Sequence, residues 1–325
     1  MKRQEPVHGR FVAGPGSSVP ESTSTDGPAS APPRISVSMA TDVGRVRQNN
    51  EDYVQAERVV RDGLQYSLWA VADGVGGGPQ GERASRAAVE AVVAFITREE
   101  WDDPATALAQ AFALANRDVY EITGEGAAAS TMVVALVSEP DGFVTIGNVG
   151  DSRAYVVSGR EARPVTDDHS LVGERVSAGQ ITALEARTAK DRNVLTRSVG
   201  SELDVAVDLF GPRRLGRDER LILCTDGIHG MIDDEAIGRI AGSCPIADCA
   251  TALVAAAIEA GGRDNATALV GGHGLEYKAS ATGDLSLRNP SGRWPDAYKF
   301  AILIAIGLVV AVIMLVVISV AARAH

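Results

Sequence analysis

Short apolar runs, broken by glycine and acidic residues, recur through the middle of the chain. RISVSMATDVG alternates, setting Ile35, Val37 and Met39 on one face of a strand. SLWAVAD, STMVVALV, GFVTIGNVG, RAYVVSG, ERLILCTD and ATALVGG read as further strands. Two longer stretches repeat at helical spacing instead. In GERASRAAVEAVVAFITREE, residues Ala84, Ala88, Ala91, Val92 and Phe95 share a face. DPATALAQAFALANRDVYEIT opens on Asp103 as N-cap and Pro104 at the first helical position. A further helix is expected from about Ile246 to Glu259. The two long helices follow each other without an intervening strand, and the Ser158–Gly159 turn joins antiparallel neighbours. The pattern predicts α+β layers rather than repeated βαβ units.

The flanks differ from this middle. Residues 1–34 are rich in Ser, Pro, Gly and Thr and are expected to form a disordered arm. Residues 35–272 form the expected globular domain, and 273–297 are polar and turn-rich, as a linker would be. Within 298–322 lies FAILIAIGLVVAVIMLVVISVAA, Phe300 to Ala322, without a charge. As a helix it would span about 34 Å at about 1.5 Å per residue, enough to cross a bilayer. Arg288, Arg293 and Lys299 precede it and Arg323 follows. The positive-inside tendency then predicts a single-pass protein of the cell membrane with its large N-terminal part in the cytoplasm.

Net charge narrows the function. At −11 over 325 residues the chain is no nucleic-acid binder, because phosphate backbones attract basic surfaces. The three cysteines, Cys224, Cys244 and Cys249, are odd in number and form no Cys-x-x-Cys pair. They are expected to be unpaired, in a reducing compartment.

Several apolar runs end in an acid, often beside glycine: Ala72-Asp73-Gly74, Val149-Gly150-Asp151 and Thr225-Asp226-Gly227. Gly262-Arg263-Asp264-Asn265 leads into another strand. Carboxylates at strand ends can point into one shared site, and adjacent glycines let backbone carbonyls approach a ligand. Such oxygen donors suit Mg²⁺ or Mn²⁺. A single Asp-Gly is ordinarily a turn, but four strand-end acids in one domain are not explained as turns. Arg47 stands four residues before the adjacent acids Glu51 and Asp52, and its guanidinium can grip two phosphate oxygens.

The ordered set RQNNED (Arg47 to Asp52), ADGVGG (Ala72 to Gly77), GNVGDSRAY (Gly147 to Tyr155), CTDGI (Cys224 to Ile228) and GGRDNAT (Gly261 to Thr267) resembles the PP2C family of metal-dependent protein serine/threonine phosphatases, in its bacterial branch. The resemblance implies a four-layer α-β-β-α sandwich with two central antiparallel sheets and a metal cleft at one end. It implies two Mn²⁺ or Mg²⁺ ions. Asp73 would bridge them with the Gly74 carbonyl alongside; Glu51 would complete one, and Asp226 and Asp264 the other. Asp151 matches a residue of a third, weaker site. Asp52 would orient water and Arg47 would hold the substrate phosphate, with attack by a metal-bridging hydroxide and no phosphoenzyme. Phosphorylated Ser/Thr proteins are the implied substrates, with a membrane-bound Ser/Thr kinase as the expected cognate partner. Val75 stands where the family often carries His, which leaves His169 or water to protonate the leaving oxygen. The Arg-rich stretch from His169 to about Gly200 coincides with the family's flap, where specificity is expected.

Other classes fit less well. Gly76, Gly78 and Gly81 match G-x-G-x-x-G, but a second helix follows where a dinucleotide fold needs a strand. No P-loop and no Cys-x₅-Arg motif occurs. The rival from another class is a catalytically inactive, membrane-bound phosphoprotein-binding regulator, which would be expected to have lost a metal acid.

Overall fold

In the computed structural model, residues 35–124 and 126–273 are described. Eleven strands form two wholly antiparallel sheets. The first runs in the order β1 (Ile35–Asp42), β11 (Ala266–His273), β10 (Glu219–Cys224), β7 (Arg153–Ser158) and β8 (Glu161–Pro164). The second runs β2 (Asp52–Arg61), β3 (Leu64–Val75), β5 (Met132–Ser138), β6 (Phe143–Val149) and β9 (Asp208–Arg214), with the short β4 (Ala129–Ser130) on the end of β3. Helices α1 (Pro79–Arg98) and α2 (Pro104–Ile122) pack side by side on the second sheet. Helices α6 (Asp234–Ala241) and α7 (Ile246–Glu259) cover the first. Between them in sequence lie α3 (Leu171–Ser177), α4 (Ala183–Thr188) and the single turn α5 (Asp226–His229). The predicted α+β sandwich with two central antiparallel sheets is the one formed.

Each layer boundary holds its own apolar core. Ala84, Ala88, Val92, Leu108 and Phe112 meet Leu68, Met132 and Val134 under the first helix pair. Trp69, Val71, Val133 and Ile146 meet Leu221, Leu223 and Leu269 between the sheets. Ile222, Val270, Cys249 and Leu253 fill the third boundary. Two glycines make room for the largest rings. A Cβ at Gly147 would lie 2.7 Å from the Phe112 ring, and one at Gly271 would enter the Trp69 ring.

Differences from the sequence reading have physical causes. β2 and β9 were not anticipated, and β8 only as a neighbour across the Ser158–Gly159 turn; all three are edge strands, and their mixed polarity hides the alternation. Cys244, in the loop after α6, and Cys249 of α7 are paired as a disulfide, while Cys224 is free and buried. This corrects the expectation of unpaired cysteines and removes that support for a reducing compartment. The arm at 1–34, the linker beyond 273 and the apolar segment 298–322 lie outside the described residues. Among the described residues no helix is long and apolar enough to cross a membrane.

Strand register brings the chemistry to one end. Asp52 pairs with Asp73, Met132 with Val149, and Cys224 with both Arg153 and Ala268. The ends of β3, β6 and β10 and the starts of β2, β7 and β11 therefore share one rim. Gly271→Ala is expected to lower stability by about 1–3 kcal/mol through overpacking against Trp69. Urea denaturation checks this, and an unchanged midpoint would refute the packing assigned to Trp69.

Candidate active site

Each acid on this rim is held by its own local structure. Glu51 is buried just before β2. Its Oε1 accepts from the Gly78 N–H at 2.7 Å, at the start of α1, where the helix dipole favours a carboxylate. Its backbone N–H donates to Asn265 Oδ1 at 2.8 Å, and its carbonyl accepts from Gly74 N–H at 3.1 Å and Ser85 Oγ. A Cβ on Gly74 would run into the Gly81 carbonyl, and one on Gly81 into the Glu51 carboxylate. Only glycine at both positions lets β3, α1 and Glu51 close together.

Asp52 opens β2, buried, with Oδ2 accepting from Thr225 Oγ1 at 2.9 Å and Oδ1 left without a partner. Burial raises its pKa to about 7, against the lowering effect of hydrogen bonds from Thr267 and Thr225, while Asp226 and Asp264 add repulsion. Asp73 lies well above the ordinary range, first through burial and then through Asp52, Asp226, Asp151 and Asp264. Asp151 is raised likewise by burial and then by Asp226 and Asp168, with Arg153 opposing. Asp226, at the start of α5, is raised to about 6 by burial and Asp264, although a hydrogen bond from Asp73 works the other way. Its Oδ1 is also buried without a partner.

The remaining two groups close the mouth. Asp264 accepts from Arg47 Nη2 at 2.8 Å and, through Oδ1, from the Asn265 N–H at 2.9 Å. Arg47 is about half exposed and its pKa is raised, chiefly by Asp264. All eight predicted site residues therefore line one rim, with the Gly74 backbone beside Glu51. Val75 is exposed. The flap segment carries α3 and α4, and a cavity of about 450 Å³ opens between Leu184 and Arg187 of α4 and Met231, Glu235 and Arg239. None of the rim acids lines that cavity.

Several contributors escaped the sequence reading. Thr225 holds Asp52, yet in the sequence it is overshadowed by its neighbour Asp226. Asn265 spans three segments, its Nδ2 donating to Val43 O and Asn49 O at 2.9 Å each. His229 is buried, held near pKa 3 by burial, and donates to the Asp151 carbonyl at 3.0 Å. His169, one of the expected proton donors, is buried and both its ring nitrogens are engaged, so neither is free for a substrate.

Among the described residues no three acid, His or Cys side chains stand at finished ligating spacing. The donor set nevertheless fits a hard divalent cation. Every donor is oxygen, two carboxylate oxygens are buried without partners, and the acids repel one another. Of the set, Asp264 is engaged by Arg47.

Comparison with known proteins follows the same outline. The protein phosphatase 2C family profile matches residues 44–241. Protein phosphatase PhpP of Streptococcus pneumoniae is 34% identical over 247 residues, covering 72% of this chain and 95% of its own. The PPM Ser-Thr phosphatase MsPP from Mycobacterium smegmatis, solved with cacodylate, is 34% identical at a TM-score of 0.65, over 74% of this chain and 98% of its own. The catalytic domain of serine/threonine protein phosphatase PstP, solved with 2 manganese ions, is 28% identical at a TM-score of 0.62, over 74% and 98%.

Carboxyl pKa values raised on folding mean that the native state keeps protons which the unfolded chain has released. The metal-free protein is therefore expected to lose stability as pH rises from about 4 towards 7. In Asp226→Asn that loss should shrink by about 1–3 kcal/mol. Thermal melts of both proteins in chelator at pH 5 and 7.5 measure the difference; equal pH dependence would contradict the crowding.

Proposed function

The chain belongs to the protein phosphatase 2C family, whose bacterial-type domain is a metal-dependent serine/threonine phosphatase, and from that footing we propose how its residues divide the work. Asp73 and the Gly74 carbonyl would serve two divalent cations, Glu51 would complete the site of one and Asp226 and Asp264 that of the other, and Asp151 would serve a third, weaker one. When bound, Mn²⁺ or Mg²⁺ supplies the positive charge that lowers the pKa of water and neutralises phosphate oxygens. The observation that carries this reading is the pair of buried, partnerless carboxylate oxygens, on Asp52 and Asp226, within one group of acids.

The protein's own groups have separable tasks. Arg47 stands at the exposed mouth in a pair with Asp264, and its fork can take a phosphate bidentately. Asp52 is fixed through one oxygen by Thr225, so its free oxygen can orient a water. The Thr225 hydroxyl fixes the Asp52 carboxylate and the Asn265 amide fixes the Glu51 backbone. Neither His229 nor His169 is free to donate a proton, and Val75 has none, so solvent protonates the leaving alkoxide.

The substrates proposed are phosphoserine and phosphothreonine proteins, with a cognate Ser/Thr kinase among them. The uncharged segment within 298–322 supports tethering to the cytoplasmic face of the membrane. The inactive-regulator reading loses ground because Glu51, Asp73, Asp226 and Asp264 are all retained.

The full-length chain is expected to release phosphate from a phosphothreonine peptide with manganese and to stop in EDTA. Asp226→Asn should lose at least about 100-fold in kcat while staying folded by circular dichroism. A variant that turns over like wild type in manganese would overturn the assignment.

A further inference from the structure

The loop carrying Asp151 is gripped from both sides by two consecutive residues at the root of the flap. On one side, the Gly150 N–H donates to His169 Nδ1 at 3.0 Å, and the His169 N–H donates to the Gly150 carbonyl at 3.0 Å. On the other, Arg153 donates through Nε and Nη2 to the two Asp168 carboxylate oxygens, each at 2.7 Å. Because Nδ1 accepts, the proton of the neutral ring sits on Nε2, which donates to Asp208 Oδ2 at 3.1 Å. Asp208 opens β9 and also accepts from Arg197. His169 is only 4% exposed, and burial lowers its pKa, so this neutral tautomer is the resting form.

The loop has other supports, His229 Nε2 donating to the Asp151 carbonyl at 3.0 Å and the Thr131 and Ser152 hydroxyls paired at 2.7 Å, but neither bonds Gly150. Gly150 has φ +103°, and a Cβ there would lie 2.6 Å from Thr131 Cβ. Asn148 Nδ2 adds only long contacts, 3.3 Å to the Gly150 carbonyl and 3.2 Å to that of Asp167. The same two gripping residues lead directly into α3. Ser170 caps that helix through Gly173 N–H, the Leu171 N–H donates to Val194 O at 2.9 Å, and the Thr196 N–H donates to His169 O at 2.9 Å. Both ends of the flap segment therefore meet at His169.

We propose that His169 and Asp168 are positioning residues that hold Asp151 towards the acid cluster and couple its placement to the seating of the flap root. The proposal rests on the phosphatase reading for its effect on turnover, but the grip itself can be read separately. In side-chain reach, Asn imitates Nδ1 of histidine and Gln imitates Nε2. His169→Asn keeps an acceptor for the Gly150 N–H and loses Asp208; His169→Gln does the reverse.

The test compares full-length wild type, His169→Gln, His169→Asn, Asp151→Asn and the Asp151→Asn/His169→Gln pair, in manganese, with a phosphothreonine peptide. His169→Gln is expected to lower kcat about 10-fold or more with KM within about twofold, the size typical of groups that orient metal ligands. His169→Asn should recover most of that loss. The double variant should be no worse than Asp151→Asn alone. Amide hydrogen exchange of the metal-free proteins should reveal faster exchange at Gly150 in His169→Gln but not in His169→Asn. Wild-type kcat in His169→Gln, equal losses in the Gln and Asn variants, or losses that add in the pair would overturn the proposal. An inactive wild type would refute the phosphatase reading, and the Gly150 exchange comparison would still decide the grip.

Discussion

Burial of mutually repelling carboxylates at one rim is the constraint on which the rest of the structure depends. Asp52, Asp73, Asp151 and Asp226 are each pushed above the usual carboxylate range, and burial is the largest cause every time. Arg47 stands at the mouth and is already committed to Asp264. A fold that gathers such groups destabilises itself at neutral pH unless positive charge is supplied. That imbalance is what a divalent-cation site looks like before the cation's charge is counted.

The two sheets make the gathering possible through strand register. Antiparallel register puts the ends of some strands beside the starts of others, so six segments deliver side chains to one rim. Rigidity comes from the apolar layers behind it, where Trp69 fills the space over Gly271 and Phe112 the space over Gly147. Hydroxyl and amide groups then do the fine placement. Thr225 reaches Asp52, and Asn265 ties the Glu51 backbone to two loops. The helix start at Gly78 adds backbone N–H to Glu51.

Much of this was legible in the sequence, for physical reasons that also explain what was not. Central strands such as SLWAVAD are buried on both faces, so their composition reveals them; edge strands such as DLFGPRR are half solvated and do not. Acids after apolar runs announce a shared rim, because strand ends are where sheets present side chains. The partners of those acids were hidden, since Thr225 and Asp52, or Asn265 and Glu51, lie far apart along the chain. His169 sits in a polar stretch, and only the folded chain reveals it as buried and doubly bonded. The Cys244–Cys249 pair was missed because cysteine parity was weighed without the α6–α7 connection that brings the two together.

The most direct examination of the central claim is a crystal structure of the protein grown in manganese, with diffraction recorded at the manganese absorption edge. The account predicts anomalous peaks flanking Asp73, within bonding reach of the Gly74 carbonyl and of Asp226 and Asp264. An acid cluster free of anomalous density in saturating manganese, with Arg47 still paired to Asp264, would contradict it.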